Sequence, residues 1–194
     1  MIVNQEIIQH TVIVKGQLNG IDNDTLVRDA LANKNNRTSN DPANTLNEDS
    51  LMPMSEEFQE VITGIRQDYE LLAQTSTLSL AAYWAHVQEY NQSSNIHDHF
   101  GVDLSGWYYP SENSNSASIV FVWDVPQTKT EESSVYTPEQ GDFLLFPSWL
   151  KHYVTRNSNR EPRVSISFNF NVIQCDIDNQ TIVVPQSHRP KKVF

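Results

Sequence analysis

A chain of 194 residues is long enough to bury one core of its own without disulfide staples. Its formal charge of −11 and pI near 4.8 argue against a nucleic-acid footprint, which needs clustered Lys and Arg to displace counterions. A single cysteine, Cys175, excludes an internal disulfide framework and fits a reducing compartment.

No apolar run approaches the roughly 18 residues of a spanning helix. The N-terminal Met-Ile-Val-Asn-Gln-Glu also lacks the basic flank and apolar segment of a signal peptide. A soluble, cytoplasmic protein with no membrane partner is expected. The one basic cluster, His188 to Lys192, reads as a solvated tail.

Taken in chain order, Glu6 to Val14 is rich in Ile and Val and predicts a strand ending near Gly16. A short helix follows, with Asp22, Asn23 or Asp24 as its cap and Leu26, Val27, Ala30 and Leu31 at helical spacing. From Asn33 to Pro53 the chain is dominated by Asn, Asp, Ser and Thr and predicts an irregular connection. Ser55 then caps a helix whose first turn carries Glu56 and Glu57, favourable at the positive end of the dipole. Phe58, Val61, Ile62, Ile65, Tyr69 and Leu72 recur every three or four residues and form a stripe that should lie against a sheet.

Beyond Gln74 the helical period vanishes. β-Branched and aromatic residues separated by turn clusters predict strands over Leu78 to Gln88, Asn95 to Phe100, Ser105 to Tyr109, Ser118 to Asp124, Asp142 to Phe146, His152 to Arg156 and Arg163 to Val172, with a weaker one over Thr181 to Val184. The stretch Val125 to Gln140 reads as a polar insert. The expected fold is mainly β with α: an antiparallel sandwich or jelly roll with the two N-terminal helices over one outer face. A single domain is expected, with N-terminal strand and helices over 1–75, a barrel core over 76–185 and a basic tail over 186–194.

Six histidines are unevenly placed. In an extended segment side chains repeat with period two, so His97 and His99 project together while Asp98 points away. His152 follows Gly141-Asp-Phe-Leu-Leu-Phe-Pro-Ser-Trp-Leu-Lys and opens the next strand after a short turn. A jelly roll can bring such strands face to face, so the three imidazoles form a candidate metal site. Imidazole suits Fe, Zn, Cu or Ni, and the residues alone do not name the ion. His10, His86 and His188 have no comparable context and are read as structural.

Arg163 begins a strand in which Arg163, Ser165 and Ser167 share one face and Val164, Ile166 and Phe168 the other. A guanidinium inside a barrel requires an anion, because unpaired burial is costly. One of the 24 acidic residues could supply it. Alternatively, a carboxylate ligand could bind its planar fork beside the metal.

His97-Asp-His99, Ser105-Gly-Trp-Tyr-Tyr109, Phe146-Pro-Ser-Trp-Leu-Lys-His152 and Arg163-Val-Ser165 together resemble the Fe(II)/2-oxoglutarate-dependent dioxygenases, in particular a branch of small bacterial and phage members similar to prolyl hydroxylases. The resemblance spans about Trp84 to Phe170. It implies a double-stranded β-helix, a jelly-roll or cupin-like barrel, in the cytoplasm of a bacterium or a phage-infected host. His97, His99 and His152 would be the Fe(II) ligands. Arg163, helped by Ser165, would hold the distal carboxylate of 2-oxoglutarate, with Tyr109 on the same carboxylate. Reaction with O2 would then couple decarboxylation to succinate with hydroxylation of a substrate. The family's usual carboxylate ligand is replaced here by His99, with Asp98 or Asp103 as alternatives and three histidines the favoured set.

The residues also admit two rival readings. One is a cupin-type metalloprotein without 2-oxoglutarate, which has no need of Arg163-x-Ser165. The other is a metal-free jelly-roll binding module that uses Trp107, Tyr108 and Trp149 as exposed aromatics. The substrate is open between a peptidyl or free amino acid and another small molecule, with the 33–50 and 125–140 segments as candidate lids.

Overall fold

A computed structural model of the chain describes residues 4–8, 11–34, 55–74, 76–125, 130–175 and 182–183. Residues 35–53 of the connection expected over Asn33 to Pro53, the 186–194 tail, His10 and His188 lie outside them, while Asn33 closes the first helix. The described strands are β1 Asn4–Ile8, β2 Thr11–Gln17, β3 Ser76–Gln88, β4 Leu104–Tyr108, β5 Ile119–Val125, β6 Thr130–Tyr136, β7 Asp142–Pro147, β8 His152–Val154, β9 Arg163–Cys175 and β10 Ile182–Val183. The helices are α1 Asn23–Asn33 and α2 Glu56–Ala73.

Both helices start where their caps predict. The Asp22 carboxylate accepts from the Thr25 amide at 3.1 Å, and the Ser55 hydroxyl accepts from the Phe58 amide at 3.2 Å. Phe58, Val61, Ile62 and Ile65 are buried against the sheet, each contributing about 1.5–3 kcal/mol of transfer free energy. The predicted stripe stops short of its last member. Leu72 is exposed, and Asp68 occupies an inward position instead.

Two antiparallel sheets face each other. The larger has the order β1-β2-β7-β4-β9-β10, with β3 paired along β9, and the smaller has the order β6-β5-β8. Together they form the expected double-stranded β-helix. The strand alternation sorts two cores. On the outer face of the larger sheet, Tyr83, Ala85 and Val87 of β3 and Val164, Ile166, Phe168 and Phe170 of β9 pack beneath the helices. Between the sheets, Ile13, Trp107, Tyr109, Ile119, Phe121, Leu144 and Phe146 form the barrel interior.

Gly106 sits at the tightest point of β4. A Cβ there would overlap the Leu144 carbonyl oxygen and the Phe168 ring, so no larger residue fits between β7 and β9.

Four local expectations are corrected. The run Glu6 to Val14 is not one strand, because β1 and β2 are antiparallel partners with Ile8 opposite Thr11; no Gly, Pro, Asn or Asp marks that reversal. The supposed insert 125–140 contains β6, a polar edge strand held on one side by β5 and therefore without an apolar alternation to announce it. Asn95 to Phe100 is not a strand. It carries one isolated antiparallel bridge, His97 to His152, after which the His99 amide donates to the Ser148 carbonyl at 2.8 Å. Finally, Trp107 and Tyr108 are buried rather than exposed. Trp107 packs in the barrel interior, and Tyr108 lies under the helices with its hydroxyl donating to Asn23.

A candidate metal and carboxylate site

His97 and His99 come from the 89–103 connection and His152 from the first residue of β8. The ladder at that bridge is two-way: the His97 amide donates to His152 O at 3.0 Å, and the His152 amide donates to His97 O at 2.9 Å. Backbone pairing therefore fixes two of the three side chains against each other. The ring centroids of His97 and His152 are 4.3 Å apart, and His99 stands 5.2 Å from each. One ligand atom from each of the three lies within 4.8 Å of the others.

The rings are aimed as well as gathered. His97 Nδ1 lies 2.7 Å from the Asn95 carbonyl and His152 Nδ1 lies 2.8 Å from the Leu150 carbonyl. A carbonyl can only accept, so each Nδ1 carries the proton and each Nε2 presents its lone pair to the centre. The two Nε2 atoms are 3.1 Å apart. Nitrogens about 2.1 Å from one ion and at right angles around it lie about 3 Å apart, so this spacing suits two adjacent positions of a shared metal.

Burial, and then the neighbouring His97, pull His99 down to about 4. The same two causes hold His152 well below its ordinary value. Both are neutral imidazoles at pH 7 and can bind a cation without first losing a proton. Trp107, Phe146 and Phe121 pack around His152 at 4.9, 5.0 and 6.3 Å, and Trp84 stands 5.7 Å from His99, which makes a dry aromatic wall.

Asp103 is not part of the cluster. Its carboxylate accepts from the Val172 amide at 2.8 Å and ties the connection to β9. Asp98 is also absent from the group.

Arg163, Ser165 and Ser167 point into the barrel, and all three are buried. The Arg163 guanidinium has no exposed surface and, among the described residues, no carboxylate within salt-bridge distance. Its partners are neutral. Nε donates to the Ser114 carbonyl at 2.9 Å, one Nη donates to the Gln88 side-chain oxygen at 3.4 Å, and the Tyr109 ring centroid lies 5.2 Å from the guanidinium carbon. Among the described residues, the other Nη and the Ser165 hydroxyl are buried without a hydrogen-bond partner. Among the described residues, then, the acidic partner that is one of the two explanations the sequence allows is not found at this guanidinium. Burial lowers the Arg163 pKa and raises that of the Tyr109 phenol, each opposed by the other.

Register places these groups relative to the histidines. Arg163 pairs with Gln88, Ser165 with His86 and Ser167 with both Trp84 and Trp107. Trp84 and Trp107 flank His99 and His152. Arg163 thus lies about 13 Å along the strand from the level of the histidines, at ~3.3 Å per residue. A long arginine side chain and a dicarboxylate can span that distance between them. His86, read from the sequence as structural, lines this path opposite Ser165. Its signal was only its parity with Trp84 and Gln88. Asn169 also faces inward, accepting from the Ser105 hydroxyl at 2.8 Å.

Residues 82–169 match the family model described as "Putative 2OG-Fe(II) oxygenase". The match covers somewhat less than half of the chain and holds the second half of β3, the three histidines, Tyr109, Arg163 and Ser165 in one segment, which bears out the resemblance read from the motifs. No curated protein matches the chain.

Among solved structures, the 2OG-Fe(II) oxygenase likeness extends to the fold. The non-heme alpha ketoglutarate dependent carbocyclase SnoK from nogalamycin biosynthesis is 10% identical with a TM-score of 0.57, covering 84% of this chain and 81% of that one. The epimerase SnoN from the same biosynthesis is 16% identical with a TM-score of 0.56, over 91% and 88%; another structure of SnoN contains Fe3+ and alpha ketoglutarate. A Pseudomonas putida prolyl-4-hydroxylase is 12% identical with a TM-score of 0.51, over 80% and 91%.

Proposed function

We propose that the chain is an Fe(II)- and 2-oxoglutarate-dependent dioxygenase of the hydroxylase kind. The observation that carries this reading is the Arg163 guanidinium: fully buried, held by neutral groups, one Nη and the nearby Ser165 hydroxyl without partners, and facing the same interior as three converging histidines. A buried cation in that state is stable when an anion completes it, and a carboxylate suits its fork. A cupin-type metalloprotein gives this arrangement no role.

His97, His99 and His152 would hold Fe(II). Arg163, Ser165 and Tyr109 would hold the distal carboxylate of 2-oxoglutarate, leaving its oxo-acid end toward the histidines. When bound, iron and cosubstrate supply an oxidant made from O2, with 2-oxoglutarate leaving as succinate and CO2. The chain's own part is to present neutral nitrogens, orient the cosubstrate and keep water from His152 with the Trp107, Phe146 and Phe121 wall.

Substrate would approach over Ile96, Phe100 and Trp149, which are 55%, 89% and 56% exposed beside the histidine-bearing connection and the β7–β8 turn. Such a rim suits an apolar face, as on a peptidyl or free amino acid with a hydrocarbon side chain.

The test is succinate formation from 2-oxoglutarate under Fe(II) and air, screened against peptide and metabolite pools. Wild type should turn over and Arg163→Ala should require far more 2-oxoglutarate. An Arg163→Ala protein fully active with no 2-oxoglutarate present would return the cupin reading.

A further inference from the structure

Gln88 closes β3 at a junction that no motif marks. Its side chain is fully buried, and its amide orientation is determined: Nε2 donates both hydrogens, to the Gln92 carbonyl and to the Thr155 carbonyl, each at 2.8 Å. The remaining atom, Oε1, must therefore face Arg163, from which it accepts at 3.4 Å. The Gln88 carbonyl in turn accepts from the Asn157 side chain at 2.9 Å.

Two of these contacts reach the metal-binding side. Gln92 lies in the connection that leads to His97 and His99, and Thr155 follows β8, which begins with His152. One amide thus touches the guanidinium and both chain segments that carry the histidines.

We propose that Gln88 is a positioning residue that keeps Arg163 charged, aimed and unneutralised for the distal carboxylate of the cosubstrate, and that registers this anchor against the metal ligands. The proposal rests on the oxygenase reading above. A neutral acceptor is what the role demands. It supports the guanidinium without consuming its charge, whereas a carboxylate at Oε1 would pair with Arg163 internally and compete with 2-oxoglutarate.

The experiment measures 2-oxoglutarate and Mn(II) binding to the full chain without O2, by titration of the intrinsic tryptophan fluorescence and by calorimetry, for wild type, Gln88→Met and Gln88→Glu. Gln88→Met should weaken 2-oxoglutarate binding about tenfold, the loss typical of one hydrogen bond to a charged group. Mn(II) affinity should change less than about threefold. Gln88→Glu keeps an acceptor on Arg163 but loses both donors to the Gln92 and Thr155 carbonyls, and it should weaken 2-oxoglutarate binding further, by about a hundredfold, because two carboxylates then compete for one guanidinium. If Gln88→Met does not fold, Gln88→Glu alone decides.

Unchanged 2-oxoglutarate affinity in the variants, or Mn(II) affinity lost in the same proportion, overturns the proposal and leaves the oxygenase reading intact. A wild-type protein that takes Mn(II) but not 2-oxoglutarate overturns that reading and this inference with it.

Discussion

His97 and His152, 55 residues apart in sequence, bring their Nε2 atoms to 3.1 Å, each ring turned by the carbonyl two residues before it. Two lone pairs at that distance repel unless a proton or a metal ion lies between them, so the pair has a built-in appetite for a cation.

That geometry separates ligands from neighbours. His97→Ala, His99→Ala and His152→Ala should each lower Ni(II) or Mn(II) affinity by about a hundredfold or more, since even the loss of an outer-shell partner costs 10–100-fold. Asp103→Ala should leave metal affinity unchanged and lower unfolding free energy by about 1–3 kcal/mol, because it removes the acceptor of the structural bond from the Val172 amide. Calorimetric metal titration and urea unfolding of the four variants give the comparison. Metal loss in Asp103→Ala would restore it as a ligand.

Ser165 should behave oppositely with and without cosubstrate. Its buried hydroxyl has no partner, so Ser165→Ala should leave the melting temperature of the ligand-free protein unchanged or slightly raised. With 2-oxoglutarate the variant should bind about fivefold more weakly, through loss of about 1 kcal/mol. Thermal melting with and without 2-oxoglutarate reads both halves at once.

Gly106→Ala should cost several kcal/mol and leave little folded protein. The added methyl meets the Leu144 carbonyl and Phe168 on both sides of a central strand, and neither can withdraw without breaking the β4 ladders. Expression yield and circular dichroism are sufficient to show it.

Asp68 predicts a pH dependence. Burial raises its carboxyl above the usual 3.8, and among the described residues neither oxygen has a hydrogen-bond partner. The folded state therefore prefers the protonated form. This contribution is fully present below about pH 4 and is lost as pH rises through the folded pKa. At pH 7 the ionised group is a liability, so Asp68→Asn should melt higher than wild type there, and the two curves should converge toward acid. A variant that melts lower at pH 7 would show that the charge is compensated.

The sequence alone determined what depends on neighbours along the chain. Both helix caps, the α2 stripe through Ile65 and the inward parity of Arg163 and Ser165 on β9 were legible because caps and periodicities of 2 and 3.6 act within a few residues.

Tertiary structure decided what depends on partners far away. Asn95 to Phe100 had a strand's composition yet found one bridge, because the connection leaves β8 after His97 to reach Ser148. β6 had no strand signal and forms because β5 offers it a free edge. Whether Arg163 met an acid or neutral groups also lay beyond any local pattern. Gln88 reaches it from the end of β3, Tyr109 and Ser114 from the connection between β4 and β5, and only the closed barrel brings them together.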